Sequence, residues 1–116
     1  MKKDPLVFVR HMLESIESIQ KYLENKKEDD FLDSEFLQDA VLRRLEIIGE
    51  AAKNLPLALT QNYPNVPWSQ IIRMRDRLVH HYFGVNLELA WEVTRDNLPK
   101  LKNQLLQLKS DLEKAE

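Results

Sequence analysis

The sequence predicts an all-α protein arranged as an up-and-down four-helix bundle. Only two glycines occur among its 116 residues, whereas sheets with tight hairpins usually need more of them. Apolar residues recur at the 3.6-residue spacing of amphipathic helices in four segments of the chain. The connections are short enough for antiparallel neighbours in a bundle. We therefore expect residues 1–116 to form one helical domain, which is an ordinary domain size.

The composition restricts the function classes. Apolar residues make up 43% of the chain and charged residues 31%, a balance typical of globular proteins. The chain has no cysteine, so disulfides, thiolate metal sites and a cysteine nucleophile are excluded. There is no apolar run typical of a signal peptide, and no stretch approaches the ~18 apolar residues of a membrane span. The sequence thus predicts a cytoplasmic protein without membrane association.

The net charge of −2 argues against a general nucleic-acid binder. Proteins that bind nucleic acids without specificity are normally basic over their whole surface. If this chain binds RNA, we expect the attraction to come from a local patch.

The first predicted helix begins at Pro5, a residue suited to the first helical position, with Asp4 as its N-cap. Its apolar stripe extends to Leu23. The polar stretch 25–30 is then expected to break it.

The second helix is predicted from Asp33 or Ser34 to about Asn54, and Pro56 ends the segment. Gly49 lies inside it at a cost of roughly 1 kcal/mol relative to alanine. This indicates that another helix approaches closely there.

The third helix is predicted from Trp68, after a loop from Pro56 to Pro67, and is expected to end at Gly84, a natural left-handed stop. Its predicted core face consists of Trp68, Ile71, Ile72, Leu78 and Val79.

The fourth helix is predicted to begin at Asn86, and Pro99 should kink or interrupt it. Its apolar residues alternate at spacings of three and four, which favours a bundle core or a dimer contact over any cofactor role. They are Trp91, Leu98, Leu101, Leu105, Leu108 and Leu112, together with Thr94.

The chemically informative stretch covers residues 71–84. Local positive charge gathers there in an otherwise acidic protein, and two of the three histidines follow it. The polar and aromatic residues concerned are Arg73, Arg75, Asp76, Arg77, His80, His81 and Tyr82.

On a continuous helix, Asp76 and His80 would be surface neighbours, so the carboxylate could orient the imidazole and favour its charged form. The helix dipole would favour the imidazolium as well. Tyr82 would share the face of Arg75. Arg75 and His80 would diverge by about 140°, so either the last turn is distorted or a second copy of the helix completes the site. The second option predicts a homodimer.

Simpler interpretations of the same residues exist. Paired histidines near a helix end are usually solvated, and arginines on a helix usually pair with acidic neighbours such as Glu46, Glu50 or Asp76. We predict no metal site, because Asp76 and His80 would supply two ligands and His11 lies far away in the sequence. A glycine-rich phosphate loop is also absent from the sequence.

The segment 75–82 resembles the R-x4-H-x-Y signature of HepT-like toxins, a branch of the HEPN superfamily. The resemblance extends over nearly the whole chain, in order. Further segments similar to the family are 42–53, 66–71, 87–91 and 98–101, the last with its proline.

The resemblance implies a metal-independent endoribonuclease without a cofactor, acting as a homodimer on RNA. Arg75 and His80 of both protomers would line the catalytic cleft, with Asp76 as an orienting residue. The ribose 2′-OH would attack the adjacent phosphate, and the products would be a 2′,3′-cyclic phosphate and a 5′-OH. RNA backbone contacts would come from Arg73, Arg77 and His81.

The resemblance also implies a partner, a minimal nucleotidyltransferase antitoxin that transfers AMP to Tyr82. An added phosphate near Arg75 would place negative charge where the RNA phosphate should bind.

Two alternatives use the same residues. The chain could be a non-catalytic HEPN module that binds nucleotide or serves as the substrate-binding subunit of a nucleotidyltransferase. It could also be a purely structural helical partner. The presence of Arg75, His80 and Tyr82 together favours catalysis.

Overall fold

The computed structural model describes residues 4–80 and 84–115, with the backbone alone at residues 79 and 80. Three long helices form the body of this part of the chain: α1 (Pro5–Tyr22), α3 (Glu35–Lys53) and α8 (Leu98–Lys114). The shorter elements described are α2 (Glu28–Leu32), α4 (Leu57–Thr60), α5 (Trp68–Ile72), α6 (Met74–Leu78), β1 (Val79–His80), β2 (Gly84–Val85), α7 (Leu87–Glu92) and a π-helical segment (Val93–Asn97).

The first helix has the limits that the sequence predicts. Asp4 Oδ1 accepts a hydrogen bond from Leu6 N at 2.9 Å, and Pro5 occupies the first helical position. The apolar stripe packs against α3 and α8. Its buried residues are Leu6, Val9, Met12, Leu13, Ile16 and Ile19.

The short helix α2 occupies part of the stretch for which the sequence predicts only a break. Asp30 Oδ2 accepts from Lys27 N at 2.8 Å, which stabilises its first turn. Phe31 is completely buried, and its ring centroid lies 5.8 Å from that of Trp91. The burial of this aromatic side chain explains why a polar segment becomes helical.

Helix α3 corresponds to the second helix that the sequence predicts and confirms it. Ser34 Oγ accepts from Leu37 N at 3.1 Å at its start, and Asn54 is its C-cap. The expected close approach at Gly49 is also confirmed. A Cβ at this position would lie 3.0 Å from the carbonyl oxygen of Ile71 in α5, so the glycine lets the two helices touch.

The prediction of one helix from Trp68 to Gly84 is wrong. The segment divides into α5 and α6, and the helix ends at Leu78. Val79 and His80 then pair antiparallel with Val85 and Gly84.

Two features explain why α6 ends at Leu78. Leu78 O accepts from Asn86 N at 2.7 Å, so the carbonyl bonds across the hairpin and does not continue the helix. Val79 is β-branched, a residue type that favours extended backbone. Gly84 has a φ of +78°, but it lies in β2 and is not a helix stop. Ile72, predicted in the core, is 39% exposed.

The predicted interruption of the last helix is confirmed. Asn86 Oδ1 accepts from Leu89 N at 3.1 Å and caps α7. The π-helical segment follows, and Pro99 lies in the first turn of α8, where its missing N–H is tolerated. Thr94, Leu98, Leu101, Leu105 and Leu108 are all buried, which confirms that the seam is core.

Together these helices confirm the all-α bundle. The helix α1 packs against α3 and α8, and α3 also packs against α5 and α6. Within the residues that the structure describes, no helix combines the length and the apolar character that crossing a bilayer requires.

Candidate active site

The arginines of the segment 73–77 line three different grooves. Arg75 lines a groove formed with α1 and α3, Arg77 lines one formed with α8, and Arg73 lines one formed with α3 and α4. Arg75 and Arg77 lie about 200° apart on α6, whereas Arg73 is the C-cap residue between α5 and α6, so the break between the two helices separates it from Arg77. The three arginines therefore do not converge on a single phosphate.

The Arg75 groove has a volume of about 350 Å³ and is open to solvent. The side chain of Arg75 is 71% exposed, and its Nε lies 3.7 Å from Oε1 of Glu46. Arg43 NH1 lies 3.9 Å from the other carboxylate oxygen of Glu46. One carboxylate thus stands between two guanidinium groups, which confirms that Glu46 is an acidic neighbour of Arg75.

The same groove contains two residues that the sequence did not connect with Arg75. These are His11 of α1, which is exposed, and Arg43 of α3. No spacing pattern relates residues on three separate helices, so only the packing of α1 and α3 brings them together. With Glu46 and Glu50 also lining the groove, two arginines face two carboxylates.

The predicted helical relation between Asp76 and His80 is wrong, because α6 ends at Leu78. His80 lies in β1, with its backbone paired to Gly84. Two further expectations assumed a continuous helix and do not apply. They are the divergence of about 140° between Arg75 and His80, and the stabilisation of the His80 imidazolium by the helix dipole. Asp76 itself is exposed. The side chain of His80 is not described, and its role stays a prediction.

Tyr82 and His81 lie outside the described residues, so their roles also stay predictions. The helical face on which Tyr82 was expected to join Arg75 does not extend beyond Leu78. Arg77 is half-buried and Arg73 is exposed, and both line grooves that could receive a phosphate. Among the described side chains, no three His, Asp or Glu residues converge as metal ligands would.

Comparison with known proteins decides the family. The family described as "Ribonuclease HepT-like" matches residues 12–108, a range that includes Arg75 and His80. The chain belongs to the HepT-like ribonuclease family. This confirms the resemblance to HepT-like proteins that the segment 75–82 carries. The match covers most of the chain.

Individual relatives agree with this assignment. A Methanocaldococcus jannaschii protein named "Gamma-glutamylcyclotransferase and putative RNase MJ0434" is 51% identical over 98% of this chain, and the chain spans 51% of that protein's length. "Putative RNase MJ0127" of the same organism is 39% identical, with 97% of this chain and 93% of the relative covered. "Probable ribonuclease HepT" of Thermococcus cleftensis is 38% identical, with 94% and 99% covered. No solved structure matches the chain.

Proposed function

We propose that this HepT-like chain is the toxin of a toxin–antitoxin pair and cleaves RNA without a metal ion. One observation carries the proposal. The family match spans Arg75 and His80, and the Arg75 guanidinium is exposed in a groove that is open to solvent. We place its action in the cytoplasm.

Arg75 would bind and stabilise the reacting phosphate. A guanidinium is permanently charged and offers paired donors that match phosphate oxygens. Its separation of 3.7 Å from Glu46 is longer than a charge-assisted hydrogen bond. An RNA phosphate can therefore replace the carboxylate at little cost, and Arg75 then neutralises the charge that develops in the transition state.

His80 would transfer the proton. The ribose 2′-oxygen forms a bond to phosphorus while the bond from phosphorus to the 5′-oxygen breaks. The 2′-OH proton passes to one imidazole, and a protonated imidazole donates to the leaving 5′-oxygen. The products are a 2′,3′-cyclic phosphate and a 5′-OH. Two imidazoles are available if a homodimer brings two copies of His80 to one cleft.

Exposed apolar side chains support the homodimer. Ile72 is 39% exposed and lies between the Arg75 and Arg73 grooves, since it lines both. Leu57 is 70% exposed beside the second of these. Apolar groups exposed together often mark protein interfaces. A second copy packed here would lie beside the Arg75 groove.

A nucleotidyltransferase antitoxin would neutralise the toxin by transferring AMP to Tyr82. Its phosphate would compete with RNA for the positive charge of the site. The proposal rests on the match of segment 75–82 to the family motif.

Expression in a host without the antitoxin tests the function. We expect the wild type to arrest growth and degrade RNA, while Arg75→Ala and His80→Ala are harmless. Arg10→Ala is the matched control, because Arg10 is an exposed arginine of α1 outside the groove, 3.9 Å from Glu113. Tyr82→Phe should stay toxic when the antitoxin is present. Equal growth and intact RNA for the wild type and His80→Ala would refute the proposal.

A further inference from the structure

A second groove lies between α5–α6 and the helices that close the chain. It has a volume of about 200 Å³ and shares no lining residue with the Arg75 groove. Its size is below the ~300 Å³ of a typical site for a drug-sized ligand. It therefore suits one small planar group.

Apolar and polar residues line different parts of this groove. Its floor is apolar and consists of the buried residues Ile71, Met74, Val93, Leu98 and Leu101. Its rim carries the cations Arg77 and Lys100 and the amides of Gln70, Asn97 and Gln104. No carboxylate lines it within the part of the chain that the structure describes. In a chain with a net charge of −2, this is a locally cationic surface.

The π-helical segment builds one wall of the groove. It contributes Val93 to the floor and Asn97 to the rim. Turns of this type are rare and often occur at functional sites. On α8, Gln104 Nε2 donates to Asn65 O at 3.1 Å, which fixes the amide and leaves its oxygen as an acceptor.

We propose that this groove binds a nucleoside of the RNA that flanks the cleaved bond. The base lies on the apolar floor, the amides hydrogen-bond its edge, and Arg77 and Lys100 contact the neighbouring phosphates. Asn and Gln side chains commonly recognise base edges in this way. The inference rests on the proposed ribonuclease function and adds to it a subsite that selects a base.

The two grooves lie on different faces of one short helix, where a single strand can reach both. Arg75 and Arg77 belong to the same short helix, α6, and line one groove each. The strand has to pass around α6, and half the circumference of a helix about 10 Å across is roughly 16 Å, which about five nucleotides at a stacked spacing of ~3.4 Å can span. A strand that crosses α6 can therefore occupy both grooves.

Methionine methyl NMR tests the site directly. Met74 lies on the groove floor, whereas Met12 is completely buried in the core and is an internal control. The chain is labelled at the methionine methyl carbons, Met74 is assigned with Met74→Leu, and AMP, CMP, GMP, UMP and inorganic phosphate are titrated separately. We expect at least one nucleotide to shift the Met74 signal at millimolar concentration, with no change at Met12.

Matched charge reversals complete the test. Lys100→Glu should weaken the nucleotide affinity by about 5-fold or more, as expected for loss of a charged contact, while Lys114→Glu on the same helix should leave it within about 2-fold of wild type. Lys114 is exposed and lies outside the groove. Three results would overturn the proposal. In the first two, the Met74 signal does not shift with any nucleotide, or it shifts equally with phosphate alone. The third is a shift in Lys100→Glu at the same nucleotide concentrations as in the wild type.

Cleavage assays separate this inference from the ribonuclease function. Lys100→Glu should raise KM for an oligonucleotide while leaving cleavage of a dinucleotide unchanged, because a dinucleotide cannot reach both grooves. If the wild type cleaves neither substrate, the ribonuclease proposal fails, and the Met74 titration still decides whether the groove binds nucleotides.

Discussion

The guanidinium of Arg75 is held loosely at the edge of its groove. It is 71% exposed and 3.7 Å from a carboxylate oxygen of Glu46. Exposed ion pairs of this kind contribute about 0.2–1 kcal/mol. The pair can therefore exchange for a phosphate, and under the proposed function Glu46 would compete weakly with RNA.

Removing this competitor should strengthen RNA binding. We expect Glu46→Gln to lower KM for RNA between about 1.5-fold and 5-fold, which corresponds to the free energy of an exposed ion pair, with kcat unchanged. Steady-state cleavage kinetics measure both constants. Glu17→Gln removes a carboxylate from an exposed position of α1 outside the groove and should have no effect. A higher KM in Glu46→Gln would show that Glu46 positions Arg75 for the substrate.

At the residue scale, the sequence drew attention to Arg75 but not to the residues that surround it. Arg75 could be singled out because the spacing 75–82 matches a family motif. His11 and Arg43 could not, because they reach the same groove from α1 and α3 through packing. Motif spacing reports neighbours along the chain, whereas a groove between helices depends on contacts across the bundle.

The final helix, α8, carries two adjacent leucines in opposite environments. Leu105 is completely buried, and Leu106 is 45% exposed. We expect Leu105→Ala to lower the free energy of unfolding by about 2–5 kcal/mol because it leaves a cavity. Leu106→Ala should change it by less than about 0.5 kcal/mol. Urea unfolding measures both values, and similar losses for the two variants would mean that the rotational position of α8 differs from the one described.

A hydrogen bond joins the loop after α4 to α8. Tyr63 Oη donates to Asp111 Oδ2 at 2.7 Å. This bond is the main cause that lowers the pKa of Asp111, and a second bond from Gln107 adds to it. A lowered folded pKa means that the carboxylate stabilises the fold above its unfolded pKa of about 4, and that this contribution is lost as pH falls through the folded value.

The variant Tyr63→Phe tests this dependence. We expect it to be less stable than the wild type at pH 7 and the difference to shrink below pH 4. Urea unfolding at several pH values gives the result. Tyr22→Phe is the control, since Tyr22 accepts from Arg44 Nε at 3.3 Å and does not donate to a carboxylate. A difference for Tyr63→Phe that grows in acid would contradict the assignment.

At the element scale, the beginnings of α1, α3 and α7 were predictable and the end of α6 was not. Asp4, Ser34 and Asn86 cap helices through local hydrogen bonds, which the sequence pattern encodes. The end at Leu78 depends on Asn86 N, a donor that reaches its carbonyl only after the hairpin forms. A helix-like pattern of apolar residues cannot report such a contact.

For the whole molecule, the net charge of −2 is compatible with RNA cleavage because the cations are placed locally. Arg73, Arg75 and Arg77 each line a separate groove around one short segment. An RNA strand would meet positive charge along that segment. Specific contacts would then contribute more than bulk attraction.

The central claim is that Arg75 and His80 act on one phosphodiester in a cleft shared by two chains. Cleavage of end-labelled RNA in excess EDTA by Arg75→Ala, by His80→Ala and by their equimolar, subunit-exchanged mixture tests it most directly. Each variant alone should lose about 100-fold or more, while the mixture should be more active than either variant, because half of its dimers hold one intact Arg75 and one intact His80 in the shared cleft. A mixture as inactive as its components, or a single variant as active as the wild type, would contradict the claim.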